Sequence, residues 1–253
     1  MMGFLTLLKR EIMRFLKDAL HTIVPATVAV VLYMLIFGLA LGLRLGEVQG
    51  IPYIQFMMPG LILMSIIRNS FLNSAYSLFQ SRWDGNIADF LVSPLSYTQM
   101  AVAIILGGVL RGLMVGALVL LAALLLADLP FAQPMFAFAY ALAVSTAFAS
   151  LGCIVGLWTK GWEGVGALET FVLDPLVLLG GVFYSLDMVK GMPIIEPLTQ
   201  FNPFTYITEG FRFALLGIAE TNAFVGLILT LTFGATFLAA SIWLFRAGYH
   251  LKA

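Results

Sequence analysis

Residues 80–99, QSRWDGNIADFLVSPLSYTQ, are a polar, mildly amphipathic elbow set between two long apolar stretches. Ile87, Phe90 and Leu91 make a short apolar face at helical spacing, with Asp84, Asn86 and Asp89 around it and Trp83 at its entry. Pro94 limits the helix, because the residue before a proline avoids the helical region. A loop helix lying on lipid is one reading, but such helices are enriched in lysine and arginine, and here Arg82 stands alone against two aspartates. A seat for a soluble protein partner accounts better for the segment. On that reading the chain is a membrane domain moved by something else.

Composition sets the frame around the elbow. Of 253 residues, 61% are hydrophobic and 10% charged, with mean hydropathy +1.02. Soluble domains carry roughly 25% charged residues, so this is the composition of a polytopic membrane protein. Net charge is zero, which leaves no global field to attract nucleic acid. Cys153 is the single cysteine and sits in an apolar run, which excludes an intrachain disulfide and a cysteine-based metal cluster. Residues 1–21 do not read as a cleaved signal, since Lys9, Arg10, Glu11, Arg14, Lys17 and Asp18 interrupt them. Phe4, Leu7, Leu8, Ile12, Phe15 and Leu16 recur at helical spacing, which predicts an amphipathic interfacial helix.

About 20 apolar residues cross a bilayer as a helix. By that measure an all-α membrane protein of six transmembrane helices is predicted, at 22–43, 52–79, 100–127, 135–158, 164–183 and 223–245, in one domain over 1–253. Residues 184–217 are too apolar for a solvated loop, and Pro193, Pro197 and Pro203 divide them into pieces too short to span. A re-entrant helical hairpin packed against the bundle is predicted there. With the N-terminus inside, eight lysines and arginines fall inside (Lys9, Arg10, Arg14, Lys17, Arg82, Lys160, Arg246, Lys252) and three outside (Arg44, Lys190, Arg212). That excess predicts both termini in the cytoplasm, which puts the 80–99 elbow there too and the hairpin outside.

Arg68, Arg111, Glu169 and Asp174 interrupt the predicted spans. Each costs on the order of 2.5–3.5 kcal/mol at a helix centre, so they are not expected to face lipid. They form either a polar patch along a substrate path or an ion-pair network holding the bundle together. Ser65, Asn69, Asn73 and Ser77 recur every four residues on one face of the second span, as glue between helices or as the wall of an aqueous route. Gly108, Gly112 and Gly116, and likewise Gly38, Gly42 and Gly46, are small-residue ladders that permit close helix approach. No G-x-x-x-x-G-K-[ST] occurs, and His21 and His250 are the only histidines, so ATP binding through a P-loop and serine or cysteine hydrolase chemistry are not expected of this chain.

Several short runs resemble the membrane subunits of ABC-2-type exporters: FMMPGL at 56–61, DFLVSPL at 89–95, GGVLRG at 107–112, GGVFYS at 180–185, and NPFTY at 202–206 followed by Phe211-Arg212. They fall in family order along nearly the whole chain. The resemblance implies a permease of the bacterial inner membrane that pairs with a second copy of itself and with separate ATP-binding cassette subunits. Those subunits hold ATP and magnesium, so no cofactor is expected on this chain. It implies that the elbow is the coupling helix, with Trp83, Asp84, Asn86, Ile87, Asp89, Phe90, Leu91 and Pro94 at the ATPase interface. It implies a substrate route between the two protomers, lined by spans one, two and five and capped by the 184–217 hairpin, with Phe183, Tyr184, Asn202, Pro203, Phe204 and Tyr206 as the outer gate; Arg68, Asn69, Asn73, Arg111, Glu169 and Asp174 then belong to that route or to a buried polar network. The implied cargo is amphipathic: polysaccharide, glycolipid or drug. An ion-coupled carrier or channel without an ATPase is the competing expectation; the buried charges are then ion sites.

Overall fold

The computed structural model describes residues 2–85 and 95–249. Asn86, Ile87, Asp89, Phe90, Leu91 and Pro94 of the elbow lie outside the described residues. Helix α1 (Met2–Lys17) turns Leu7, Glu11 and Phe15, four residues apart, into the bundle. Leu16, expected on the apolar face, is exposed, and a glutamate stands where the expected face had only apolar residues. Asp18 breaks the helix with φ −100° and ψ 17°, and α2 (Ala19–Ala40) follows, then a single turn, α3 (Gly42–Leu45).

The expected all-helical chain carries one exception. Strands β1 (Glu47–Val48) and β2 (Ile51–Pro52) pair antiparallel with Val48 opposite Ile51. Gln49 and Gly50 turn the corner at φ 55° and 77°, the positive-φ pair that a two-residue hairpin favours.

Helix α4 (Tyr53–Trp83) is the central post. In its most apolar window 78% of residues are buried, against 11% for the α2–α3 run, so α4 is surrounded by protein while α2 lies at the edge. Helices α5 (Tyr97–Leu126) and α6 (Pro134–Trp158) clasp it. Glycines make the clasp close: a methyl on Gly112 would strike Ser70 Oγ, and one on Gly152 the Phe71 carbonyl oxygen. Gly108 and Gly116 likewise face α4, whereas in the other ladder only Gly38 meets a neighbour, Ile54; Gly42 and Gly46 face open space. Ser96 starts α5 with a reciprocal capping box, its Oγ accepting from Gln99 N (3.2 Å) and its own N–H donating to Gln99 Oε1 (3.0 Å).

Among the described residues, five helices are long and apolar enough to cross a membrane: Ala19–Leu45, α4, α5, α6 and α12 (Ala223–Ala247). The expected span at 164–183 is a shorter compound helix over 162–178. It comprises α7 (Trp162–Leu168), a π turn (Glu169–Leu173) and α8 (Asp174–Leu178). Pro175 explains the join. It has no N–H for an α-type bond, and its ring would crowd the carbonyl four residues back. The chain instead closes a wider turn, with Asp174 N–H donating to the Glu169 carbonyl.

Beyond it come α9 (Leu186–Val189), α10 (Ile195–Phe201) and α11 (Pro203–Leu216), the last packed against α12, α4 and α6. A second apolar cluster, including Leu7, Leu78, Met100, Cys153 and Phe245, ties α1, α4, α5, α6 and α12 at the elbow end.

Candidate functional site

Three polar groups are stacked along α4. At the elbow end, fully buried Glu11 accepts from Ser77 Oγ (2.5 Å) and from Arg14 Nη2 (3.3 Å). The same Arg14 nitrogen donates to Asn73 Oδ1 (3.0 Å) and to the Asn73 carbonyl (3.1 Å). These bonds bolt α1 to α4 in the place where a methyl on Gly107 would strike Glu11 Cβ at 2.8 Å. Arg82, half-buried, donates through Nη1 to the carbonyls of Gly156 (2.9 Å), Leu157 (2.8 Å) and Thr159 (3.1 Å). It caps the C-terminus of α6, whose last carbonyls have no partner within the helix. Trp83 and Asp84, where α4 gives way to the elbow, are exposed, and Trp83 stacks on Phe79 at 6.0 Å. Arg10, Arg14 and Lys17 line a basic cleft of about 480 Å³ beside them, facing Asp18 and Asp84.

The middle group holds the residues expected on the substrate route. Arg68 Nε donates to Glu169, which the π turn carries. Asp174 lies within Coulombic range of Arg68, without an ion pair to it. Arg111 does not join them in a network: its Nε is buried and has no hydrogen-bond partner among the described residues. Arg111 and Arg68, with Ser65 and Asn69, line a cavity of about 280 Å³ closed on its other side by α2. The four-residue stripe of α4 therefore divides. Asn73 and Ser77 are glue to α1, while Ser65 and Asn69 face the cavity.

At the opposite end, Arg212 is the largest fully buried side chain. Its Nη2 donates to the Gly181 carbonyl (2.6 Å) and its Nε to the Phe56 carbonyl (3.3 Å); Nη1 pairs with Glu209, and the guanidinium lies 3.9 Å over the Phe56 ring. The expected gate residues are tied into the same region. Asn202 Oδ1 caps α11 by accepting from Phe204 N (3.0 Å), and its Nδ2 donates to the Leu176 carbonyl (2.6 Å). Pro203 opens α11, Tyr184 OH donates to the Leu179 carbonyl (2.7 Å), and Tyr206 OH to the Gln200 carbonyl (3.0 Å). Phe183 lies 5.0 Å from the Phe37 ring of α2, and Phe204 5.4 Å from Phe148. On the surface nearby, the hydrogen bond from exposed Lys190 to Asp187 raises the lysine above its ordinary range. No three His, Cys, Asp or Glu side chains are grouped to hold a metal among the described residues.

The profile of the ABC-2 type transporter family matches residues 2–216, which takes in every element from α1 to the end of α11. The chain belongs to the ABC-2 type transporter family. Within it, the inner membrane transport permease YadH of Escherichia coli K12 is 38% identical over 213 residues, 83% of this chain and 82% of its own. Nodulation protein J of Rhizobium leguminosarum bv. viciae is 22% identical over 235 residues, 90% and 88% of the two chains. Nodulation protein J of Rhizobium meliloti is 23% identical over 220 residues, 83% and 79%.

Glu11, Arg14, Ser77 and Arg82 are the residues of this ABC-2 chain that sequence reading missed as a unit. The available signal was Glu11 itself, an acid four residues from Leu7 and from Phe15 on a face otherwise apolar. Arg212 is read from the sequence as a charge outside the membrane; Glu209, three residues before it, was the available signal of a pair, whereas the carbonyls of Phe56 and Gly181 that complete its surroundings gave none.

Proposed function

We propose that this chain is the permease subunit of an ATP-driven exporter in the bacterial inner membrane, with both termini in the cytoplasm. Two copies form the passage, and separate ATP-binding cassette subunits, which carry the ATP and magnesium, grip the elbow at Trp83, Asp84, Asn86, Ile87, Asp89, Phe90, Leu91 and Pro94. Closure of the ATPase pair displaces the elbow. Helices α4 and α5 carry that displacement into the bundle, and an amphipathic cargo (polysaccharide, glycolipid or drug) leaves past Arg68, Asn69, Asn73, Arg111, Glu169 and Asp174. The hairpin over 184–217 dips into the membrane from outside and gates the far end.

Family membership supports the transport reading, and the relative named as an inner membrane transport permease supports the location. The sequence carries no P-loop, which supports a reading in which another chain holds the ATP. The observation that carries the mechanical part is the bracing of the elbow end. Glu11 and Arg14 lock α1 to α4, and Arg82 locks α4 to the end of α6, so the base of the elbow has no slack in which a push would be lost. An ion-coupled carrier fits less well, because of the two carboxylates beside Arg68 one, Glu169, is already engaged by it, which leaves Asp174 alone to serve as an ion site.

Phe90→Ala combined with Leu91→Ala tests the seat. Removing the apolar face reduces co-purification of an ATPase with the chain, read by quantitative mass spectrometry of the complex in mild detergent. Unchanged assembly and transport in that variant contradict the proposal.

A further inference from the structure

We propose that the cavity between α2, α4 and α5 receives the oxyanion head of an amphipathic molecule (a phosphate, sulfate or carboxylate on an apolar body), with Arg111 as its principal ligand. The inference rests on the export reading only for what becomes of the bound molecule.

The two guanidiniums that line this cavity are not served alike. Both nearby carboxylates act on Arg68, Glu169 as its ion-pair partner and Asp174 within Coulombic range. Among the described residues Arg111 has no acidic partner within ion-pair distance, and its buried Nε donates to nothing. A further cation, Arg14, lies within Coulombic range of it. A guanidinium held in apolar surroundings without a counter-charge or an acceptor is a site that lacks its other half. A planar fork of donors is the group that recognises phosphate and carboxylate oxygens in pairs. Ser65 and Asn69 place further polar side chains on the same wall.

The other wall selects the body of the ligand. Ala26, Ala29 and Val30 of α2 supply small apolar surface, and Tyr33 a ring. The opposite face of α2 exposes Val24, Val28, Leu32 and Ile36, so the cavity lies one helix away from the apolar surroundings of the protein. At about 280 Å³ it is at the small end for a ligand pocket, where roughly 300–1,000 Å³ is usual. It takes a head group and the first part of a chain. The rest of the amphipath extends outside.

The test uses the full chain purified in dodecyl maltoside, with dodecyl phosphate as the probe and dodecanol and dodecyltrimethylammonium as matched neutral and cationic controls. Dodecyl phosphate raises the thermal unfolding midpoint in a saturable way, and the two controls do not. Arg111→Gln weakens that binding about tenfold or more, the effect of losing a charged hydrogen-bond donor. Arg111→Lys weakens it less, since the charge is kept and the fork is lost. Equal shifts from all three probes overturn the proposal on the wild-type protein alone, so it stands or falls even where Arg111→Gln does not fold. Wild-type affinity in Arg111→Gln also overturns it. Repeating the titration in phosphatidylcholine nanodiscs with and without phosphatidylglycerol separates the sources. Competition assigns the site to a bilayer lipid, and its absence assigns the site to an exported solute. A chain that binds dodecyl phosphate but never assembles with an ATPase keeps this site and loses the export reading.

Discussion

Glu11, Arg111 and Arg212 each put a charge into apolar surroundings, and their partners differ. Glu11 accepts from a hydroxyl and a guanidinium on one oxygen, Oε2, so its removal leaves Arg14 half-buried without its acid. Glu11→Gln is expected to lower stability by about 1–3 kcal/mol, measured by thermal unfolding in detergent. Adding Arg14→Gln is expected to recover part of that loss, because the double change removes the stranded charge along with its partner. Arg212 is met by Glu209 on its own helix and by main-chain carbonyls from two distant segments. Lysine has no planar fork to reach Phe56 and Gly181 together, so Arg212→Lys is expected to cost about 1–3 kcal/mol. Limited proteolysis is the measurement, with faster cleavage expected between 180 and 222. Arg111 differs from both in having no protein acceptor for its Nε.

At the scale of elements, glycine position decides how closely α5 and α6 approach α4. Gly152→Ala sets a methyl against the Phe71 carbonyl oxygen and is expected to cost about 1–3 kcal/mol by overpacking. Gly42→Ala meets nothing within 4 Å and is expected to leave the unfolding midpoint unchanged. A small-residue ladder thus reads alike in sequence whether or not a partner helix faces it. The same distinction limits what hydropathy can give. The long helices were legible because twenty apolar residues announce themselves by length alone. The break within 162–178 was not legible, because apolar content conceals the missing N–H of Pro175 that forces the π turn. The stripe from Ser65 to Ser77 was legible as a polar face, but its division between glue and cavity depends on where α1 and α2 lie, which periodicity within α4 does not contain.

Over the whole molecule, the two ends of the bundle differ in construction. At the elbow end, Glu11 and Arg14 join α1 to α4, and Arg82 joins α4 to the last carbonyls of α6, over a shared apolar cluster. At the other end, short helices between Leu186 and Leu216 are held by Arg212, Asn202 and Tyr184 through main-chain carbonyls. Such an arrangement suits the proposed device, pushed at one end and opened at the other, for which the elbow is the decisive contact. The most direct test is a photoreactive benzoylphenylalanine placed at Phe90 in living cells, with the adduct identified by mass spectrometry. The expected result is a crosslink to a soluble subunit carrying a P-loop. A crosslink to a protein outside the inner membrane, or to lipid alone, contradicts the account.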